Sequence, residues 1–216
     1  MIRRGEPWGT PATGPADLTV RGDDAELADA ITAVPGARIA LDGTGGGDLA
    51  RAVGIAGAHS AGTSELPFDV LDLDDGTLAV NAIMLGVAPG ELARRHRRSP
   101  VVVRVDDRTV FDGRATTVVI ATGQFLGGAD LVPRGHPGDG RIEVQVYALD
   151  PGQRAAMRRR LAAGTHVPHP GIVEATGASV AVVTARPWPL QVDRRRRNAR
   201  SELTATVRAH AWHLVL

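Results

Sequence analysis

The stretch TTVVIATGQFLGGADLVPRGHPGDGRIEVQV, Thr116 to Val146, decides how this chain folds. Its first seven residues, Thr116 to Thr122, are a β-branched apolar run. From Arg141 to Tyr147, Ile142, Val144 and Val146 alternate with polar neighbours. A strand is therefore predicted on either side of a polar loop. Gly123, Gly127, Gly128, Gly135, Gly138 and Gly140, with Pro133 and Pro137, fill that loop. Glycines let a backbone take positive φ and approach a ligand or another strand closely, and prolines fix where turns fall. On spacing alone this is a long irregular connection between two strands.

Working outward, the β pattern continues. Phe68 to Leu73, Thr77 to Met84, Val101 to Val105 and Thr109 to Phe111 read as short strands separated by Asp-Asp-Gly, Asp-Asp-Arg and Asp-Gly turns. Ser179 to Ala185 and Leu190 to Asp193 read as two more, and Glu202 to Leu216 as a closing pair. Gly90 to Arg98 and Gln153 to Ala163 read as helices. Regular short strands with such turns predict an antiparallel sandwich or barrel.

The N-terminal part differs. Residues 1 to 17 are rich in Pro, Gly and Thr and are predicted as a loop or extended arm. Ala25 to Ala33 is a short helix capped by Asp23 or Asp24 and ended by Pro35 and Gly36. Arg38 to Leu41 is a strand, and the glycine-rich DGTGGGDLARAVGI leads into a helix beginning near Asp48. Strand, glycine loop and helix start together form a common seat for an anion, because free N–H groups and the helix dipole point into the loop. A lone glycine loop is weak support for phosphate binding.

Composition excludes several chemistries. With no cysteine, disulfides, thiolate nucleophiles and sulfur-ligated metals are out of reach. All 25 basic residues are arginine. Without lysine there is no Walker-type phosphate loop, no Schiff base and no pyridoxal site. A net charge of +1 gives no case for nucleic acid, and the arginine clusters at 94–98, 158–160 and 194–197 lack interleaved aromatics. No window reaches the ~18 consecutive apolar residues of a membrane span. No secretory leader is recognised, so a cytoplasmic location is expected.

Gly123-Gln-Phe-Leu-Gly-Gly, then Pro133, then Gly138-Asp139-Gly140-Arg141-Ile142-Glu143-Val144 resembles the C-terminal domain of the diacylglycerol-kinase family of lipid kinases, which carries a glycine turn, a Pro, an Asp-Gly and a strand in this order. Gly43-Thr44-Gly45 through Asp48-Leu49-Ala50-Arg51 resembles that family's Gly-Thr-Gly-Asn-Asp-Phe-Ala-Arg loop, one residue longer and without the Asn. Arg21-Gly22-Asp23-Asp24-Ala25 stands where the family has its nucleotide signature Gly-Gly-Asp-Gly-Thr, and only Gly22 and Asp23 match. Arg21 and Asp24 place bulk and negative charge where backbone should meet a triphosphate. Some sixty residues normally precede that signature; here about twenty do.

The resemblance implies a truncated α/β domain at residues 1–60 with 201–216, a β-sandwich domain at 61–200, and a cleft between them. It also implies roles for single residues. Asp193, in Pro189-Leu190-Gln191-Val192-Asp193-Arg194-Arg195, takes the place of the family's catalytic Asp-Gly-Glu aspartate, with Arg194 and Arg195 where Gly and Glu belong. Beside those arginines its pKa is expected to be lowered. On the residues alone, an exposed turn aspartate paired with Arg is the plainer reading. Asp193 and Asp23 are the candidate catalytic residues. Gly22, Gly43, Thr44, Gly45, Asp48, Gly127, Gly128, His166 and His169 are the candidate ligand-contacting ones. His166 and His169, three apart in a proline-bound loop, have no nearby carboxylate to complete a ligand set, so no metal site is predicted. A Gly-Thr-His segment is normal in bacterial relatives of these kinases, which favours a structural role.

The expected function is that of a repurposed relative. It binds a hydrophobic, hydroxyl- or carbonyl-bearing small molecule or lipid and does acid–base or cyclisation-type chemistry without ATP. The alternatives are an ATP- and Mg²⁺-dependent kinase, in which Asp23 and Asp193 serve phosphoryl transfer, and a non-catalytic lipid-binding protein. A homodimer covering exposed edges is a further expectation.

Overall fold

β-branched runs joined by tight Asp-containing turns build most of the molecule, as their propensities dictate. The structure is a computed structural model, and it describes residues 9–55 and 63–216. The N-terminal part contains β1 (Thr10–Pro11), β2 (Leu18–Arg21), α1 (Asp24–Ala33), β3 (Arg38–Asp42) and α2 (Asp48–Ala52). Then follow β4 (Ser64–Leu73), β5 (Leu78–Ala79), β6 (Ala82–Gly86), β7 (Ser99–Val105), β8 (Arg108–Ala115) and β9 (Thr117–Ala121). The opening stretch supplies β10 (Phe125–Leu126), β11 (Ala129–Asp130) and β12 (Ile142–Tyr147). The remainder is α3 (Arg154–Leu161), β13 (Ile172–Gly177), β14 (Ser179–Val192) and β15 (Arg195–Val215).

One 13-stranded sheet has the spine β1-β4-β15-β14-β6-β9-β12-β13, and β10 and β11 form a separate hairpin. β14 changes partner along its length. Val180–Thr184 pair with β7, whereas Leu190–Val192 pair with β6, and the register shifts between Val183 and Leu190 mark the corner. Folding the sheet over at this corner encloses the first core, which includes Val103, Val118, Ile120, Val144, Val182 and Leu190. The apolar run of β9 now has its reason. Val118 and Ile120 face that core, while Val119 and Ala121 face a second one with Leu131, Met157 and Leu161 beneath α3. A strand covered on both faces loses its polar alternation.

The third core belongs to the smaller lobe. β2 pairs in parallel with β3, and β3 in parallel with β15 through His213–Arg38 and Leu214–Ile39. α1 is the crossover between β2 and β3, packing Leu27 and Ile31 against Ile39, Leu49, Phe68 and Trp212. The rings of Phe68 and Trp212 are 4.9 Å apart. The seam between lobes runs along β4, whose Leu66, Phe68 and Val70 serve this core while Leu71 and Leu73 serve the sandwich.

Several expectations change. Gly90–Arg98 is not an α-helix: a 3₁₀ turn covers only Pro89–Glu91. The carbonyls that would continue it are taken by arginines of α3. Arg154 Nη1 donates to Ala93 O (2.7 Å) and His96 O (2.5 Å), and Arg158 donates to Leu92 O. Thr77–Met84 is broken into β5 and β6 around Val80 and Asn81, and the two pairs of strands expected near the C-terminus are two single strands of 14 and 21 residues. β2 begins directly after the stretch that read as loop, where no strand was expected. The expected arm at 1–17 lies partly outside the described residues; Thr10 and Pro11 pair with β4.

Candidate active site

At the seam, three elements bring buried carboxylates to the ends of β2, β3 and β6. Asp23 caps α1, its Oδ1 accepting from Ala25 N (3.0 Å) and Glu26 N (3.1 Å), while the Glu26 carboxylate accepts from Asp23 N (2.9 Å). This reciprocal capping box commits Asp23 to the helix, and its side is exposed. Its neighbour Asp24 is the buried one, at 5 % exposure. Asp24 Oδ1 accepts from Leu49 N (3.1 Å) in the first turn of α2, and Oδ2 accepts from Asn81 Nδ2 (2.8 Å). Burial pushes the Asp24 carboxyl up to about 6, against the bond from Leu49 and with Asp48 nearby adding to the rise.

Asp48, the first residue of α2, reaches the β10–β11 turn. Its Oδ2 accepts from Gly127 N (2.6 Å) and its Oδ1 from Gly128 N (2.8 Å). Both glycines have positive φ, 61° and 75°, which turns their amides toward one carboxylate. Arg51 covers the same hairpin, 4.7 Å above the Phe125 ring. Asn81 ties these pieces together, since its Nδ2 also donates to Phe125 O (3.0 Å).

Asp193 enters from the β14–β15 turn. This two-residue turn needs positive φ at both positions, and Asp193 (46°) and Arg194 (66°) supply it. Asp193 is 2 % exposed and accepts from Val80 N (2.8 Å), Asn81 N (3.0 Å) and Ala82 N (2.9 Å). The lowered pKa expected from its arginine neighbours is corrected. Burial raises it to about 7, opposed by those backbone donors, because Arg194 points to solvent and Arg195 binds Asp29 instead. Nor is it an exposed turn aspartate.

The glycine loops also meet. A Cβ on Gly45 would lie 2.5 Å from Gly22 N and O, so backbone packs directly on backbone. Gly43–Gly45 is a 3₁₀ turn whose Thr44 N–H (3.0 Å) and Oγ1 (2.5 Å) both donate to Asp42 Oδ1, and Arg21 Nε sits 3.0 Å from Asp42 Oδ2. Asn81 thus links Asp24, Asp193 and the hairpin at Phe125, whose Gly127 and Gly128 hold Asp48, while Gly22 and Gly45 pack backbone on backbone. The histidines lie elsewhere. His166 is buried with Nε2 3.3 Å from Tyr147 Oη, its ring stacked at 6.4 Å, and burial lowers its pKa. His169 Nδ1 accepts from Gly171 N (2.9 Å) inside a turn. Among the described residues no cluster of three His, Asp or Glu is arranged for a metal ion, and no helix is long and apolar enough to cross a membrane.

Sequence reasoning missed Asp24 as a site residue, and missed Asn81 and Asp69. Asp69 is fully buried, holding Gly140 N (2.7 Å) and the bulge at His210 N (2.9 Å). The signal was present. A lone Asn in LAVNAIML and a lone Asp in PFDVL are polar groups inside apolar β runs, which require partners.

Beside the Asp48–hairpin contact opens a cleft of about 420 Å³, floored by Met84, Leu126, Leu131 and Leu161 and edged by Arg194 and Arg196.

The fold has solved counterparts. A diacylglycerol kinase from Bacillus anthracis str. Sterne superposes with a TM-score of 0.72 at 17% identity, over 92% of this chain and 76% of that one. An NAD kinase from Archaeoglobus fulgidus in complex with ATP gives 0.53 at 14% identity, over 94% and 82%. Yeast NADH kinase complexed with NADH gives 0.54 at 13%, over 92% and 62%. No curated protein sequence matches significantly. Residues 73–211 match the YegS C-terminal NAD kinase beta sandwich-like domain. With this match over more than half its length, and with the sandwich, seam and glycine turns in place, the chain belongs to that family, the diacylglycerol-kinase family of lipid-kinase relatives.

Proposed function

We propose that this chain binds a hydrophobic molecule bearing a hydroxyl or carbonyl in the cleft beside the β10–β11 hairpin and moves a proton on it without ATP. The carrying observation is at the start of α2. Leu49 N–H, one of the amides that a phosphate would use there, is already held by the Asp24 carboxylate, and Asp48 adds a second buried negative charge one residue away. Gly22 is covered by the Glu26 carboxylate as well. Three carboxylates in one small volume oppose a triphosphate, so the residues present do not fit ATP with Mg²⁺.

Those same groups suit proton transfer. A carboxyl held near pH 6 by burial exchanges protons close to neutrality, the condition for a general acid or base. Asp24 is the exchanging group in this reading, positioned by Asn81, while Asp193, its own carboxyl raised to about 7 by burial, keeps Val80–Ala82 in place. Titration calorimetry with ATP and Mg²⁺ tests the reading: no binding is expected at millimolar nucleotide, and micromolar affinity sinks it.

Family membership favours a second reading, phosphoryl transfer to a lipid hydroxyl. Transfer of label from γ-labelled ATP to a lipid extract, abolished by Asp193→Asn, would establish it in place of the first. A co-purified lipid in native mass spectrometry with no turnover would make the chain a carrier. Among the described residues β2 pairs only with β3, so one edge of the small lobe is open; a homodimer closing that edge is part of the proposal, and a monodisperse monomer in light scattering refutes it.

A further inference from the structure

The cleft edged by Arg194 and Arg196 has a charge pattern that its apolar floor does not need. Gln191 and Arg196 are directly opposed across β14 and β15, so both side chains stand on one face of the hairpin, and both line the cleft. Arg195, one step along, faces the other way and pairs with Asp29, while Arg200 pairs with Asp74 and Asp75. Arg194 and Arg196 are exposed and form no ion pair among the described residues. Glu91 also lines the cleft, leaving an excess of positive charge. A second hollow of about 460 Å³ shares Ala88, Glu91, Gln191 and Arg196, so the groove continues past the arginines.

We infer that this groove selects an amphiphile with an anionic head, a carboxylate or phosphate ester on a hydrocarbon chain. The inference rests on the reading of the cleft as the ligand site and names the class of ligand it takes. Met84, Leu126, Leu131 and Leu161 take the chain, in a volume typical of small-molecule sites. Arg194 and Arg196 take the head, with guanidinium groups suited to bidentate contact with carboxylate or phosphate oxygens. Gln191 adds an amide donor from the same face. A nucleic acid is disfavoured, because no Phe, Tyr or Trp lines either hollow to stack on bases and His96 is the one ring present.

Calorimetry with decanoate, decyl phosphate, decanol and inorganic phosphate, each as free monomer, tests this. Decanoate and decyl phosphate are expected to bind at least tenfold more tightly than decanol. The Arg194→Glu/Arg196→Glu variant should bring them down to decanol's level, and Arg104→Glu/Arg108→Glu on the remote β7–β8 hairpin should change nothing. Circular dichroism establishes that each variant is folded. Equal binding of decanol and decanoate overturns the inference while leaving the cleft as a ligand site. No binding of any chain compound by the folded protein sinks both readings. Inorganic phosphate binding as tightly as decyl phosphate overturns the inference by removing the chain from recognition. Binding to phosphatidylglycerol vesicles without saturable binding of free decyl phosphate also overturns it, since the partner would then be a bilayer surface.

Discussion

Replacing Asp24 by Asn removes a buried negative charge while keeping the side chain's shape, and its effect on stability reverses sign with pH. A carboxyl whose folded pKa lies above its unfolded value binds its proton more tightly when folded. Its burial therefore costs nothing at a pH below the unfolded value and costs most above the folded one. For Asp24 that window runs from 3.8 to about 6. At ~1.4 kcal/mol per pH unit, the wild-type protein loses ~3 kcal/mol across it on account of this group. The Asn variant has no such loss. It keeps an oxygen for Leu49 N–H but no longer offers Asn81 Nδ2 an acceptor, a pH-independent deficit of ~1 kcal/mol. Near pH 4 the variant is thus expected to be less stable by ~1 kcal/mol, and at pH 8 more stable by ~2 kcal/mol. Urea unfolding of both proteins at several pH values measures the difference, in which the other titrating groups largely cancel. A difference that stays flat from pH 4 to 8, or a wild type that gains on the variant as pH rises, refutes the assignment of Asp24 as the buried, proton-exchanging carboxyl.

Asp193→Ala strands the amides of Val80, Asn81 and Ala82, and at ~1 kcal/mol or more each the melting temperature should fall by roughly 10 °C in calorimetry. Gly45→Ala forces a Cβ into the backbone of Gly22 and should cost ~1–3 kcal/mol in the same assay, with no change in overall secondary structure. Arg194→Gly relieves a non-glycine residue held at φ 66° and should raise stability by ~1 kcal/mol in urea unfolding.

Much of this architecture was legible from residue patterns. The strands flanking the glycine-rich loop, the start of α1 at Asp23 and the short helix at Asp48 follow from β-branching, capping chemistry and turn residues, all of which act locally. The segment 90–98 did not, because arginines some sixty residues away consume its carbonyls, and no local propensity reports that. Asp23 drew attention as the residue that matches a motif, yet its carboxylate is spent on the helix. Asp24 looked like damage to the motif and is the buried partner of Asn81. For Asp193 the adjacent arginines suggested a lowered pKa, but a positive-φ turn sends neighbouring side chains in different directions, and only the structure shows which one stays dry.

β15 carries one more implication, for how the molecule comes together. His213 must find Arg38, 175 residues earlier (213 − 38), before the parallel register of the small lobe is complete. At a synthesis rate of roughly 5–20 residues per second, the first lobe to leave the ribosome waits about ten seconds or more for the strand that seals it. During that interval Ile39 and Phe68 lack their cover. The pairing that completes the small lobe is thus one that spans most of the chain, and it can form only once the two ends meet.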